Sequence, residues 1–302
     1  MRIFTASLWK LGFCTIPPRL SFEFGDGSNS TRLLPLDGFY PNSWDCENIQ
    51  PVPYHIRQTY QLDYFYQKYT HAYGIPILSS SQVRDSALRR ACYTVRFMLG
   101  DRLDLRQAQY QNKGRVMIMA EYPKEKTTDV PEHAYLKDDP YTDWDERARG
   151  LGGTLHLPLS SVGEENVLCL NGDRYYNQDI LVHEFGHGIH HVSAEYVDPS
   201  FTSRLQSAYN TAISRGLWAN TYAGTNYIEY FAVGVQCYFD NSGEGPVGGD
   251  GIHNNINTRW ELYNYDSRLY SIVAEVFPCA NEIIQRCDNQ SGISNHRPPV
   301  RV

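Results

Sequence analysis

Residues 183–187 read His183-Glu184-Phe185-Gly186-His187, and the chain continues Gly188-Ile189-His190-His191-Val192-Ser193. On a helix, residues four apart share a face, so His183 and His187 can both reach one metal ion. Glu184 lies about 100° around the helix, beside that ion, where it can take a proton from an activated water. Leu181, Phe185, Ile189 and Val192 recur at helical spacing and predict a buried face. The pattern predicts a helix from about 177 to 193. Asn177 is its expected cap. Asp179 stands either in the first turn or as a hydrogen-bond partner that orients an imidazole.

Two imidazoles do not complete a zinc site; a third protein ligand is needed. The extended pattern would put Gly at 190 and His at 193, whereas the chain has His190 and Ser193. His190 lies two turns, about 10.5 Å, from His183, too far to share an ion. His190 and His191 therefore read as polar-face residues or as supports for the ligands. The better candidate is Glu229, in Asn226-Tyr227-Ile228-Glu229-Tyr230-Phe231-Ala232-Val233-Gly234. This stretch predicts a helix over about 225–239. A lone carboxylate in so apolar a helix is costly unless it binds a metal or pairs with a buried arginine. Small residues, Gly186 and Gly188 on one helix and Ala232 and Gly234 on the other, suggest close approach of the two.

The combination of His183-Glu184-x-x-His187 with Glu229-Tyr230-Phe231-Ala232 resembles the gluzincin metallopeptidases. It is most similar to the anthrax lethal factor and Pro-Pro endopeptidase family, whose third ligand comes from a Glu-Phe-Phe-Ala motif. Residues 149–191 also resemble a group of secreted, uncharacterised metallopeptidase-like proteins. The likeness covers roughly residues 55–245. It implies one catalytic Zn²⁺ held by His183, His187 and Glu229, with Glu184 as general base. The family places a transition-state-stabilising tyrosine seven residues before the ligand Glu, which is Tyr222 here; Tyr227 is a nearby rival. The implied activity is endopeptidase cleavage of a peptide or protein substrate. A catalytically idle extracellular glycoprotein that keeps the zinc site is the alternative, and a zinc hydrolase acting on another amide is a third.

The implied fold is α+β and zincin-like. A small twisted sheet and the His-bearing helix form one lobe, a mainly helical second lobe carries Glu229, and the ion lies in the cleft between. Residues 1–50, rich in turn formers, read as an N-terminal extension. Residues 51–290 read as the peptidase domain, with sub-lobes at about 51–195 and 196–290, and 291–302 as a tail. Val83, Ala87, Ala91, Val95 and Met98 predict a helix over 81–99, and Val116–Ala120 a buried strand. Residues 121–150 read as loop, in which Asp129, Glu132 and His133 form a polar cluster that either lines the cleft or is solvated. Gly150-Leu151-Gly152-Gly153 reads as a turn. Thr154–Leu159 alternates Leu155, Leu157 and Leu159 with polar residues and contains Pro158, so it reads as an edge strand able to hold an extended peptide. The five glycines of 243–251 read as a mobile loop that could flank the site. A last helix is expected near 270–287.

Across its 302 residues the chain carries a net charge of −7, which disfavours a nucleic-acid partner. No run approaches the roughly 18 apolar residues of a membrane span. Seven cysteines and the sequons Asn29-Ser30-Thr31 and Asn289-Gln290-Ser291 point to an extracellular protein. Cys14–Cys46 and Cys279–Cys287 are the first pairings to expect. Arg2 and the short apolar run Ile3–Trp9, interrupted by Lys10, do not make a clean signal peptide, so either the true start lies upstream of Met1 or the protein is not secreted by that route.

Overall fold

A computed structural model describes residues 43–277. The sequons, Cys14, Cys279, Cys287 and the tail 291–302 lie outside the described residues, as does the end of the helix expected near 270–287.

The described chain is α+β, with one six-stranded sheet in the order β1-β2-β3-β4-β6-β5. Strand β1 (Gln50–Pro51) is followed by helix α1 (Tyr54–Tyr60). Strands β2 (Lys68–Ala72) and β3 (Ile75–Ser79) form a hairpin. Its two-residue turn, Tyr73-Gly74, has φ of 57° and 79°, the left-handed pair that matches strand twist. Helices α2 (Asp85–Met98) and α3 (Leu103–Gln111) carry the chain over to β4 (Arg115–Met119), parallel to β3. The predicted helix thus starts four residues late, because the Ser80 hydroxyl first accepts from the Gln82 amide and closes a turn.

Residues 121–149 are less open than the sequence suggests. They contain 3-10 turns at Thr127–Asp129 and Pro131–Asp138 and the short helix α4 (Trp144–Arg147). Strand β5 (Gly150–Leu151) precedes β6 (Leu159–Gly163), which is parallel to β4. Every residue of β3, β4 and β6 is buried. On one side of the sheet lies the main core; on the other a smaller cluster includes Ile56, Tyr60, Tyr66 and Leu159.

The edge strand expected at Thr154–Leu159 is not formed. The Thr154 amide donates to the Leu157 carbonyl and closes a turn, and Leu155 is exposed. The strand begins at Leu159 and is interior. The sheet edge is β5, which pairs antiparallel with β6 in the register Gly150↔Val162 and Leu151↔Ser161. Alternating leucines imitate a strand, but the Thr154 hydroxyl also accepts from the Leu157 amide and stabilises the turn instead.

Helices α5 (Glu164–Val167), α6 (Ile180–Gly188), α7 (Glu195–Val197), α8 (Phe201–Ser214), α9 (Tyr227–Tyr238), α10 (Arg259–Tyr265) and α11 (Ser267–Val276) complete the described chain. One apolar cluster runs through α2, α6, α9 and α11. No described helix is long and apolar enough to cross a membrane. Cys46 is joined to Cys92 on α2, not to Cys14 as expected. Their Cα atoms stand 5.4 Å apart, within bridging range, across 46 residues of sequence. Cys169 is also disulfide-bonded, and Cys237 is a buried free thiol.

Candidate metal centre

Helix α6 starts at Ile180, where the Asp179 side chain accepts from the Val182 amide. Asp179, not Asn177, is the cap, and its side chain is used there rather than to orient an imidazole. Leu181, Phe185, Ile189 and Val192 are buried as expected, which turns His183 and His187 toward a cleft. After Gly188 the helix widens into a π turn, Ile189–Ala194.

Helix α9 starts one residue after its cap. The Asn226 side chain accepts from the Ile228 and Glu229 amides, placing Glu229 in the first turn, where the helix dipole favours an anion. Helices α6 and α9 pack together, but not through every small residue expected. A Cβ on Gly186 would meet Val235 of α9 at an ordinary 3.6 Å, whereas one on Gly188 would strike Ser160 Oγ at 2.6 Å. Gly234 makes room for Leu269 of α11.

The packing brings three atoms together. His183 Nε2 lies 3.1 Å from His187 Nε2 and 3.0 Å from Glu229 Oε2, and His187 Nε2 lies 3.3 Å from the same oxygen. Glu229 pairs with these histidines rather than with an arginine. Four ligands around a tetrahedral zinc at roughly 2.0–2.1 Å stand about 3.3 Å from one another, close to these separations.

The hydrogen-bond network also fixes which ring nitrogen of His183 faces the point. Gln236 Nε2 donates to the Asp179 carbonyl at 2.9 Å, which turns Gln236 Oε1 toward His183. His183 Nδ1–H donates to that oxygen at 2.9 Å, leaving Nε2 to offer its lone pair toward Glu229. Lone pairs this close repel unless positive charge lies among them. Burial disfavours charge on His183, yet the hydrogen bond to Glu229 and the nearby carboxylates outweigh it and push the ring up to about 9. His187, for which burial dominates, is lowered. Glu229 is held well below the usual carboxylate range: hydrogen bonds from both histidines overcome the effect of burial. The three donor atoms form a group that could hold a metal ion in place of the shared protons.

Glu184 sits beside them. Burial pushes its carboxyl up to about 7, with His183 opposing and Glu229 reinforcing the rise. The cleft of about 570 Å³ is lined by Glu184 and the three converging residues, the edge strand Gly150–Leu151 with Gly152 and Gly153, and Tyr222. A Cβ on Gly152 would lie 2.4 Å from His187 Cβ, and one on Gly150 would lie 2.9 Å from Glu184 Cγ. Only glycine lets the strand pass this close to α6. Behind it, Arg149 is buried in a two-pronged ion pair with Glu165, at 2.6 and 3.1 Å, and donates to the carbonyls of Glu125 and Ala120. That anchor fixes where β5 begins.

Tyr222 stands on a 3-10 turn, Tyr222–Gly224, with its ring stacked 6.2 Å from that of His183. Burial, then Glu229 and Glu184, raise its phenol above the ordinary value, so it remains a proton donor. Tyr227 instead meets His190 edge-on at 6.3 Å and does not line the cleft. The glycine-rich loop reaches the site through Ile252 and His253, and the Ile252 carbonyl accepts from the Tyr222 amide.

Two polar groups sit elsewhere than expected. Glu132 is half-buried, pairs with Arg115 at 2.9 Å and accepts from the Tyr66 hydroxyl, and His133 is buried against Ser161; neither lines the cleft. His190 is fully buried between Phe201 and Phe231, not on a polar face. Three residues of the site were not singled out from sequence: Gln236, His253 and Gly152 as a contact residue. Gln236 had a signal, since it lies seven residues after Glu229 and so on the same helix face.

No family model and no curated protein matches the chain. Among solved structures, a Pro-Pro endopeptidase (PPEP-2) from Paenibacillus alvei is similar at a TM-score of 0.42 and 15% identity, over 67% of this chain and 96% of that one. A likeness this distant leaves the site to be judged on its own residues.

Proposed function

We propose that this chain is a zinc-dependent endopeptidase in which His183, His187 and Glu229 hold the ion and Glu184 is the general base. The observation that carries this reading is the convergence of those three donor atoms at 3.0–3.3 Å in a cleft that also presents Glu184. Two imidazoles and one carboxylate suit zinc and leave a position free for water or substrate. When bound, the ion supplies Lewis acidity that acidifies water and polarises a carbonyl.

The chain's own residues do the rest. Glu184, whose carboxyl burial raises and a bound cation would lower again, takes the proton from the attacking water and hands it to the leaving amine. Tyr222, kept protonated, donates through its hydroxyl to the carbonyl oxygen as charge develops there. Gly150–Leu151, the last strand of the sheet, pairs with an extended peptide through backbone groups. Gln236 holds the His183 ring in the tautomer the ion requires. An idle glycoprotein would have no need of Glu184 in this position. The Cys46–Cys92 disulfide fits a protein that works in an oxidising, extracellular compartment.

The test uses purified full-length protein. It should hold a tightly bound zinc that Glu229→Gln removes. Wild type should cleave members of a broad peptide library. Glu184→Gln should keep the zinc and lose the cleavage. Zinc binding without cleavage of any peptide, but with hydrolysis of small acylated amines, would redirect the reading to another amide substrate.

A further inference from the structure

A second set of metal-ligand side chains lies just beyond the first. His190, His191 and Glu195 place their donor atoms within 4.8 Å of one another. His190 Nε2 lies 3.2 Å, and His191 Nδ1 3.4 Å, from Glu195 Oε1. The two histidine-to-carboxylate separations are close to those of ligands around one small ion, about 3.3 Å. The Thr202 hydroxyl donates to Glu195 and orients its carboxylate.

The backbone is built to make this cluster. In an α-helix, residue 195 would lie well around the axis from residue 190. The π turn Ile189–Ala194 changes that, because i→i+5 spacing brings residue 195 beneath residue 190. The imidazoles of His190 and His191 stack at 4.1 Å, and Glu195 reaches both. Widening a helix weakens its regular bonding, and side chains from the neighbouring α3 segment make good the loss. Gln109 Nε2 donates to the Gly188 carbonyl at 2.8 Å and Asn112 Nδ2 to the Val192 carbonyl at 2.7 Å. The deviation is therefore supported from outside, and π turns of this kind gather at functional sites.

Access differs among the three. The His190 side chain is fully buried, while His191 and Glu195 keep 17% and 35% exposure. His191 also lines the cleft that contains His183 and His187. An ion can thus arrive from the cleft side onto His191 and Glu195, with His190 as the fixed inner ligand. Two imidazoles and one carboxylate suit a transition ion rather than Mg²⁺ or Ca²⁺, which prefer all-oxygen shells.

We propose that His190, His191 and Glu195 form a second divalent transition-metal site on the wall of the same cleft.

The experiment is a Co²⁺ titration of metal-stripped full-length protein, read by visible absorption and by metal content after gel filtration. Wild type should take up two equivalents. Glu195→Gln and His191→Asn, both at partly exposed positions, should each take up one, and circular dichroism should show an unchanged fold. Glu229→Gln should lose the other equivalent and keep the one assigned here. If wild type binds a single equivalent that Glu229→Gln abolishes and Glu195→Gln spares, the second site does not exist while the proposed peptidase centre stands. If two equivalents bind and neither Glu195→Gln nor His191→Asn removes one, the assignment is equally overturned. A single equivalent lost in Glu195→Gln and kept in Glu229→Gln would support this site and remove the basis of the proposed function.

Discussion

His183 Nδ1 donates to Gln236 Oε1 at 2.9 Å, and Gln236 is itself held by the carbonyl of Asp179, the cap residue of the same helix that carries His183. The ring is thereby oriented from α9 while its other nitrogen faces Glu229, also on α9. Gln236→Ala should leave the three ligands present but lower zinc affinity about ten- to a hundredfold, the usual effect of losing such a support. Competition with a chromophoric chelator measures this. Unchanged affinity would show that the amide has no part in holding the ring.

Zinc affinity should depend steeply on pH. His183 is pushed up to about 9, so a proton and the ion compete for its Nε2. As pH rises toward about 9 the proton is shed and binding strengthens, by about tenfold per pH unit when one proton is released. Below that value the trend should reverse sign nowhere: lower pH always weakens binding. Isothermal titration in buffers of different ionisation enthalpy counts the proton released. No release at pH 7 would contradict the arrangement of His183, His187 and Glu229.

Glu184→Gln should cut turnover about 10²- to 10⁴-fold, the range for a lost general base, with zinc content unchanged. In wild type the rate should rise with pH as Glu184 loses its proton. Burial sets that carboxyl near 7, and a bound cation nearby lowers it, so the acidic limb should fall below pH 7. A pH–rate profile whose acidic limb persists in the Gln variant would assign the titration to another group.

How much of this was legible beforehand differs from element to element. Helix α6 and the position of Glu229 were readable because periodicity and a misplaced carboxylate are local signals, although the cap expected at Asn177 falls at Asp179. The edge strand was not. Leu155, Leu157 and Leu159 alternate as a strand should, yet a Thr154-to-Leu157 turn breaks the run, and the true edge is Gly150–Leu151. Glycine there is dictated by His187 and Glu184, residues more than thirty positions away, and no local propensity reports such a contact. The same holds for Cys46, whose partner Cys92 is chosen by how α2 lies on the sheet. Glu132 and His133 looked solvated because their neighbours in sequence are polar, although Arg115 pairs with the first and Ser161 meets the buried second from other strands.

Gly152→Ala should be more damaging than a surface glycine change. The added Cβ would lie 2.4 Å from His187 Cβ, so either strand or helix must shift, at about 1–3 kcal/mol. Zinc affinity should fall with it, since His187 moves. Gly100→Ala, whose Cβ would meet only carbonyl oxygens at 3.5 Å, is the control. Melting temperatures of both variants, with and without chelator, check this. Equal effects would remove the close approach as the reason for glycine at 152.

Reducing Cys46–Cys92 should destabilise the fold by about 4 kcal/mol, the loop-closure value for a separation of 46 residues. Cys92→Ala measured by urea unfolding under oxidising conditions gives the same quantity without reductant acting on other disulfides. A loss well under about 1 kcal/mol would show that closing this loop does not constrain the unfolded chain as its length implies.

His133 supplies a pH dependence outside the metal centre. Burial lowers its pKa from 6.5 to about 4; Glu132 opposes the shift and Arg115 adds to it. The unfolded chain therefore takes up a proton near pH 6.5, while the folded one resists until about 4. Since the unfolded state binds more protons in that window, stability is full above pH 6.5 and falls as pH drops through it toward 4. The difference amounts to about 3 kcal/mol at most. His133→Gln, which can still hydrogen-bond Ser161, should lack this component. Urea unfolding of wild type and variant should therefore give similar stabilities at pH 7.5 and diverge at pH 4.5, where only the wild type has lost this component. Parallel losses in the two proteins would place the acid sensitivity elsewhere.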